Sequence, residues 1–135
     1  MQTSPEEKKT TVPKPKEAKL SAWLLPLSVR FVNAVKQVMF YCAIHFFTQE
    51  KWNEVIVLPA VGPYWCWGGV SRGEIPAYDW TAGEVMGTPE DEKKAASFAK
   101  RFSWEFQPHH ILGMEESDQQ LMVVRSEVSS LLSSH

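Results

Sequence analysis

The sequence contains one pair of adjacent histidines, His109 and His110, directly after Pro108. Histidine is a common general base and metal ligand, so this pair is the first candidate for chemistry. Neighbouring side chains on an extended segment point to opposite sides, and one ion could not readily bind both rings. No nearby cysteine or carboxylate completes a known zinc spacing. The pair therefore predicts neither a metal site nor a catalytic base.

The segment WGGVSRGE at 67–74 places Arg72 between glycines. It contains neither the G-x-x-x-x-G-K-[ST] nor the G-x-G-x-x-G spacing that cradles phosphates. Two interpretations remain open. Arg72 contacts a phosphate or a lipid head group, or the segment is a solvent-facing turn, for which Gly and Ser are typical.

Two further residue pairs have ordinary explanations. Glu115 and Glu116 lie near an expected helix start, where the helix dipole favours negative charge. Cys42 and Cys66 lie among aromatic and aliphatic neighbours, which predicts buried free thiols, with a disulfide in an oxidising compartment as the alternative. We therefore predict no catalytic residue, no cofactor, no metal ion and no small-molecule substrate.

Length and composition favour one domain, because 135 residues with a hydrophobic content of 44% can bury a core. The net charge of −2 supplies no basic field, so nucleic acid is not expected as a partner. Six tryptophans are many for this length and need to be covered. Residues 1–19 have little apolar surface and no secretory-signal pattern, and we expect a disordered or extended polar arm.

The stretch 27–49 predicts a helix that begins after Pro26. At about 100° per residue, a single polar stripe comprises Arg30, Asn33, Gln37, Tyr41, His45 and Thr48. Apolar residues cover the remaining arc of roughly 200°, wider than an ordinary surface helix needs. A core, a partner subunit or lipid could bury such a face. Lys36 and Arg30 lie toward one end, and Trp23 and Trp52 flank the helix, as interfacial residues would.

The stretch 55–87 is dense in Pro and Gly, which argues against a helix. We expect an irregular extended segment whose aromatic residues a partner covers. Its aromatic anchors are Tyr64, Trp65, Trp67, Tyr78 and Trp80.

Two amphipathic helices are predicted after this segment. The first spans about 89–106, with Thr88 as its N-cap and Pro89 at its first position. The second spans about 117–132 and begins at Ser117, with Gln120 in capping-box spacing. The expected fold is mainly α and not an autonomous compact unit: an arm at 1–19, then one helical region at 20–135. That region divides into the apolar helix (20–54), the Trp/Pro/Gly-rich loop (55–87) and the two helices (88–135).

These features favour a non-catalytic accessory subunit of a membrane complex, located in the mitochondrial inner membrane. The general design resembles the small supernumerary subunits of respiratory complexes or ATP synthases, although no motif is shared. Expected partners are other subunits and membrane lipid. Residues predicted to bind partners are Arg30, Asn33, Gln37, His45, Tyr64, Trp65, Trp67 and Trp80. Residues predicted to contact lipid or head groups are Trp23, Lys36, Trp52 and Arg72. A soluble, cytoplasmic α-helical interaction module is the alternative, and a small enzyme or metal-binding protein is less favoured.

Overall fold

The computed structural model describes residues 26–134, which contain three α-helices, a short 3-10 helix (Arg72–Glu74) and seven short strands. The elements in order are α1 (Leu27–Thr48), β1 (Glu54–Val57), β2 (Ala60–Val61), β3 (Tyr64–Trp65), β4 (Gly68–Ser71), β5 (Tyr78–Asp79), β6 (Glu84–Val85), α2 (Pro89–Arg101), β7 (His110–Ile111) and α3 (Glu115–Ser133). The architecture is mixed α/β, so the prediction of a mainly α fold is wrong. The predicted arm at 1–19 and Trp23 lie outside the described residues.

Strands β1 to β4 form one hairpin. β1 pairs antiparallel with β4, and β2 pairs antiparallel with β3. The two pairs keep one continuous register, from Glu54 opposite Ser71 to Val61 opposite Tyr64. The arms are therefore 54–61 and 64–71, joined by Gly62 and Pro63, and Gly62 has the positive φ of 58° that glycine readily adopts. Between the two strand pairs, the Cys66 N–H donates to the Pro59 carbonyl at 3.1 Å. We call this unit the long hairpin.

The prediction of an irregular segment at 55–87 is therefore wrong. Along the first arm, Val57 and Pro59 are buried while Glu54, Leu58 and Ala60 are exposed, which is the alternation of a strand with one face on the core. The glycines and prolines mark turns and pair positions rather than breaking the structure. A second hairpin, β5 with β6, completes the region.

Helix α1 is amphipathic, and the prediction of a wide apolar surface is wrong. Its buried residues repeat at spacings of three and four: Phe31, Val35, Met39, Cys42, Ala43 and Phe46. Val32, Tyr41 and Phe47 lie outside this stripe and are exposed. One face of α1 therefore packs on the protein, as in an ordinary surface helix. Among residues 26–134, no helix combines the length and apolar character needed to cross a membrane.

The core joins the buried face of α1 to the inner face of the long hairpin and to α2. It comprises the α1 residues named above together with Val57, Cys66, Val70, Ile75, Phe98 and Phe102. Gly68 lies at the tightest point, because a Cβ there would meet the Phe102 ring at 3.0 Å. This shared cluster corrects the expectation that the chain has no compact fold of its own.

The start of α2 confirms the predicted cap, because the Thr88 hydroxyl accepts the Asp91 N–H and Pro89 occupies the first turn. α2 ends at Arg101, earlier than predicted, and Phe102 turns into the core. α3 begins at Glu115, so Ser117 is not its cap. Ser117 is instead buried in the first turn.

Candidate protein-interaction surface

The outer face of α1 carries three of the predicted partner-binding residues side by side. Arg30, Asn33 and Gln37 recur every three or four positions, and with Ala34, Lys36 and Phe40 they line an open groove of about 460 Å³. Arg30 and Lys36 form no ion pair with any carboxylate of residues 26–134. We call this the cationic groove.

His45 does not belong to this groove. It is half-buried with its ring edge-on to Phe46 at 5.5 Å, and its Nε2 has no hydrogen-bond partner among the described residues. The helical spacing alone placed it with Arg30, but the last turns of α1 bring this position against the protein.

An aromatic cluster continues from the groove toward the C-terminal end of α1. The Phe40 ring lies 6.0 Å from Tyr41 and 5.9 Å from Tyr78, and Phe47 lies 5.6 Å from Tyr78. Tyr41 is 60% exposed and Phe47 is 48% exposed. Trp80, in the turn two residues after Tyr78, is 69% exposed. We call Phe40, Tyr41, Phe47, Tyr78 and Trp80 the aromatic surface.

The turn that carries Trp80 is held by hydrogen bonds to Asp79. The Asp79 carboxylate accepts the N–H groups of Thr81 at 3.1 Å and Ala82 at 3.2 Å, and the Gly83 N–H donates to the Asp79 carbonyl. Gly83 has a φ of 75°, which suits glycine. Trp80 is therefore presented on a preorganised turn, which lowers the entropy cost of binding.

Asp91 of α2 anchors the start of the same hairpin. Its carboxylate accepts the Thr88 hydroxyl at 2.6 Å and the Ala77 N–H at 3.1 Å. These hydrogen bonds, the Thr88 hydroxyl first, hold the pKa of Asp91 below its usual value. The second hairpin is thus tied to α2 through Asp91, and its Tyr78 packs against Phe40 and Phe47 of α1.

The aromatics of the long hairpin are used inside the chain. The Trp65 indole donates to the Ser117 hydroxyl at 2.8 Å, and the Trp67 indole donates to the Gln120 side chain at 3.1 Å, so both tryptophans dock α3. Tyr64 is half-buried and lies 6.3 Å from Trp104. Of the four aromatic residues predicted to bind partners, the structure leaves Trp80 exposed.

Arg72 caps the end of α1. Its guanidinium donates to the carbonyls of Phe46, Gln49, Glu50 and Trp52, and it lies 5.0 Å from the Phe46 ring centroid. The Phe46 carbonyl is one that the helix end leaves without an intrahelical partner, and the other three belong to the residues that follow the helix. Arg72 was expected to contact a head group or to lie in a solvent-facing turn, but its guanidinium is bound within the protein. Trp52, also predicted to contact lipid, contributes one of the carbonyls that Arg72 binds. Lys36, another predicted lipid contact, lies in the cationic groove.

The adjacent histidines point to opposite sides, as the extended backbone predicts. His109 stacks on Trp104 at 4.0 Å and lies edge-on to Phe31, and its burial lowers its pKa. His110 is buried beside Trp65, with Nδ1 2.8 Å from the Glu116 carboxylate. No three His, Cys, Asp or Glu side chains of residues 26–134 converge as a metal site would require.

Ser117, His110 and Glu116 are the residue types of a nucleophilic triad. In this arrangement the Ser117 hydroxyl accepts from Trp65, and within the described part of the chain it makes no hydrogen bond to His110. The side chain of Ser117 is also completely buried. The three residues therefore hold the base of α3 on the long hairpin. Cys42 and Cys66 are free and buried, and burial raises their pKa values to about 11 and about 12.

The sequence interpretation missed Phe40 and Phe47 as surface residues. The helical spacing of Arg30, Asn33 and Gln37 continues to Phe40, which could have placed Phe40 on the outer face. Phe47 lies off the stripe of buried residues at 31, 35, 39 and 46, which could have placed it on the surface. The chain matches no protein-family model, and it shows no significant similarity to a curated protein or to a solved structure.

Proposed function

We propose that this protein is a non-catalytic accessory subunit that binds a partner protein through the aromatic surface and the adjoining cationic groove. The observation that carries the proposal is an exposed aromatic cluster on a rigid support. Tyrosine and tryptophan in such settings dominate binding energy at protein interfaces. Burying one large side chain contributes about 1.5–3 kcal/mol, so a few of these residues suffice to anchor a partner.

The cationic groove defines the chemistry of that partner. Arg30 and Lys36 have no carboxylate opposite them in residues 26–134, and Phe40 joins the groove to the aromatic surface. A complementary partner presents apolar side chains next to carboxylates. Such a pairing speeds association at low salt and weakens as the salt concentration rises.

We further propose, from the sequence, that the partner belongs to a membrane complex of the mitochondrial inner membrane. The alternative, a soluble interaction module in the cytoplasm, would use the same surface for a different partner. Co-purification of the tagged native protein, followed by carbonate extraction of the membranes, distinguishes the two locations. Recovery of the protein and its partner in the cytosolic fraction, rather than with the membranes, would reject the membrane assignment.

The surface itself is tested with two variants, Trp80→Ala and Tyr41→Ala, and a matched control, Leu132→Ala. Leu132 is exposed on α3, away from the aromatic surface. Quantitative mass spectrometry of co-purified proteins should show one set of proteins that falls at least about tenfold with each test variant, the loss expected for about 1.4 kcal/mol, and is kept by the control. Equal thermal stability of the three variants excludes unfolding as the cause. Full retention with Trp80→Ala and Tyr41→Ala would overturn the proposal.

A further inference from the structure

The hydrogen-bond pattern of the long hairpin separates the backbone groups that pair across it from those that face outward. The Arg72 N–H donates to the Asn53 carbonyl at 2.8 Å, and the Cys66 N–H donates to the Pro59 carbonyl. Hydrogen-bonded pairs alternate with non-bonded pairs in an antiparallel ladder. With the constant register, positions 55, 57, 59 and 61 of the first arm bond across the hairpin. Positions 54, 56, 58 and 60 therefore direct their N–H and C=O groups away from it.

The outer edge of the second arm is covered toward both of its ends. Trp65 pairs with His110 of β7, and the Leu112 N–H donates to the Pro63 carbonyl at 2.7 Å. Further along, Arg101 donates to the Gly69 carbonyl at 2.6 Å, and the Ser71 N–H donates to the Glu74 carboxylate at 2.8 Å. Arg101 and Glu74 also contact each other at 3.4 Å. A strand and an ion pair thus close this edge.

The outer edge of the first arm is open. Glu54, Ile56, Leu58 and Ala60 make no outward backbone hydrogen bond to any residue of the described range. Leu58 is 41% exposed, and Glu54 and Ala60 are exposed as well. Pro59 does not protect the edge, because its missing N–H belongs to the inner ladder. Exposed edges without an inward charge or an outward-facing proline are templates for a further strand.

We propose that this edge pairs antiparallel with the same edge of a second copy of the chain, which gives a symmetric dimer in which the two long hairpins form one continuous sheet. The inference is independent of the aromatic surface. In the register that uses all four outward positions, Ile56 lies opposite Leu58 of the second copy and Glu54 lies opposite its Ala60.

This register pairs all four outward positions and places the two apolar ones opposite each other. It brings the Ile56 and Leu58 side chains of the two copies together on one face, and cross-strand apolar pairs stabilise a sheet. The two glutamates lie at opposite ends of the paired segment, so no like charges face each other. A register centred on Glu54 would instead place two carboxylates side by side, which destabilises pairing.

The dimer is tested with the full chain. Sedimentation equilibrium over a wide concentration range should show a monomer–dimer equilibrium. Leu58→Lys should raise its dissociation constant by at least about tenfold, because a charge then lies in the paired edge. The matched control, Leu132→Lys, changes an exposed leucine to the same residue on α3 and should leave the constant unchanged.

A spin label on Leu58→Cys tests the register. Diagonal neighbours across an antiparallel pair lie about 7–8 Å apart, so labels on the two copies should broaden the continuous-wave spectrum, and a label on Leu132→Cys should not. The buried native thiols do not compete for the label. A protein that stays monomeric at all concentrations, a dimer that Leu132→Lys weakens as much as Leu58→Lys does, or an unbroadened Leu58→Cys spectrum of the dimer would each overturn the proposal.

Discussion

At the scale of single residues, the side chain of Arg72, which directly follows the long hairpin, caps the C-terminal end of α1. Its guanidinium binds carbonyls of the last turn of α1 and of the following loop, which would otherwise need water or a glycine cap. Arginine can reach several acceptors at once because its donors form a planar fork.

Arg72→Ala should lower the free energy of unfolding by about 3 kcal/mol, since hydrogen bonds from a charged group are worth about 1.5–3 kcal/mol and several are lost. Arg72→Lys should recover less than half, because an ammonium group cannot span the same carbonyls. Urea denaturation measures both. Arg125→Ala, on the exposed side of α3, is the control and should stay within about 0.5 kcal/mol of the unsubstituted protein. An Arg72→Ala variant as stable as this control would refute the capping role.

His109 makes stability depend on pH. Burial lowers its pKa, so in the pH range just below 6.5 the unfolded chain binds a proton that the folded chain does not. Stability contributed by the neutral ring is fully present above the unfolded pKa and is lost as the pH falls from there toward the folded pKa. His109→Phe keeps an aromatic ring against Trp104 and cannot titrate, so its unfolding free energy should vary less with pH in this window.

Denaturant titrations at a series of pH values check this expectation. Asp91 provides an internal reference, because its pKa is lowered and its contribution is lost only as the pH falls below about 3.8 toward the folded pKa. The His109→Phe protein should keep that more acidic loss. If its profile in the range just below pH 6.5 matched that of the unsubstituted protein, His109 would not be the responsible group.

At the scale of elements, the approach of the long hairpin to α2 depends on Gly68. Gly68→Ala would place a Cβ 3.0 Å from the ring of Phe102, which is fully buried and cannot move aside. Overpacking of this kind costs about 1–3 kcal/mol. Gly69→Ala is a matched control, since its Cβ would meet nothing within 4 Å. Thermal denaturation should show a lower melting temperature for the first variant only, and equal values would contradict the packing.

Helix α3 is held at its base by two indole hydrogen bonds. Ser117→Ala removes the acceptor of Trp65 and should cost about 1–2 kcal/mol, because a buried donor loses its partner. Ser126→Ala, on the exposed part of α3, should have little effect. Amide hydrogen exchange should show faster opening of α3 in Ser117→Ala while the protection of α1 is retained. Unchanged exchange in α3 would show that other contacts hold it.

The sequence predicts some of these elements well, for physical reasons. The start of α2 follows from local chemistry, since Thr88, Pro89 and the acidic first turn act within a few residues. The groove residues Arg30, Asn33 and Gln37 follow from helical spacing. The hairpins could not be predicted in this way. Pro59 and Gly62 indicate breaks when they are considered alone, and their place in a hairpin depends on pairing with a strand several residues away. The sequence predicts that Trp65 and Trp67 must be covered, but it does not indicate whether α3 or a partner covers them.

At the scale of the whole molecule, one core joins α1, α2 and the long hairpin. We therefore expect far-UV circular dichroism and tryptophan emission to report a single, coincident thermal transition. The transition temperature should also rise with protein concentration, because a dimer that dissociates on unfolding is stabilised by mass action. Two separate transitions would indicate that α1 and the hairpins unfold independently. A concentration-independent transition would count against strand pairing between copies.

The constant register of the long hairpin has a consequence for the order in which the chain folds. Its arms meet across a two-residue turn, and hairpins form in about 1–10 μs. The bonds from Trp65 and Trp67 to α3 instead span 52 and 53 residues, so closing that loop costs more entropy. We therefore expect the rate-limiting barrier to contain a formed hairpin and an undocked α3. In stopped-flow refolding and unfolding, strain introduced at Gly62 should slow refolding, whereas loss of the Ser117 hydroxyl should chiefly speed unfolding.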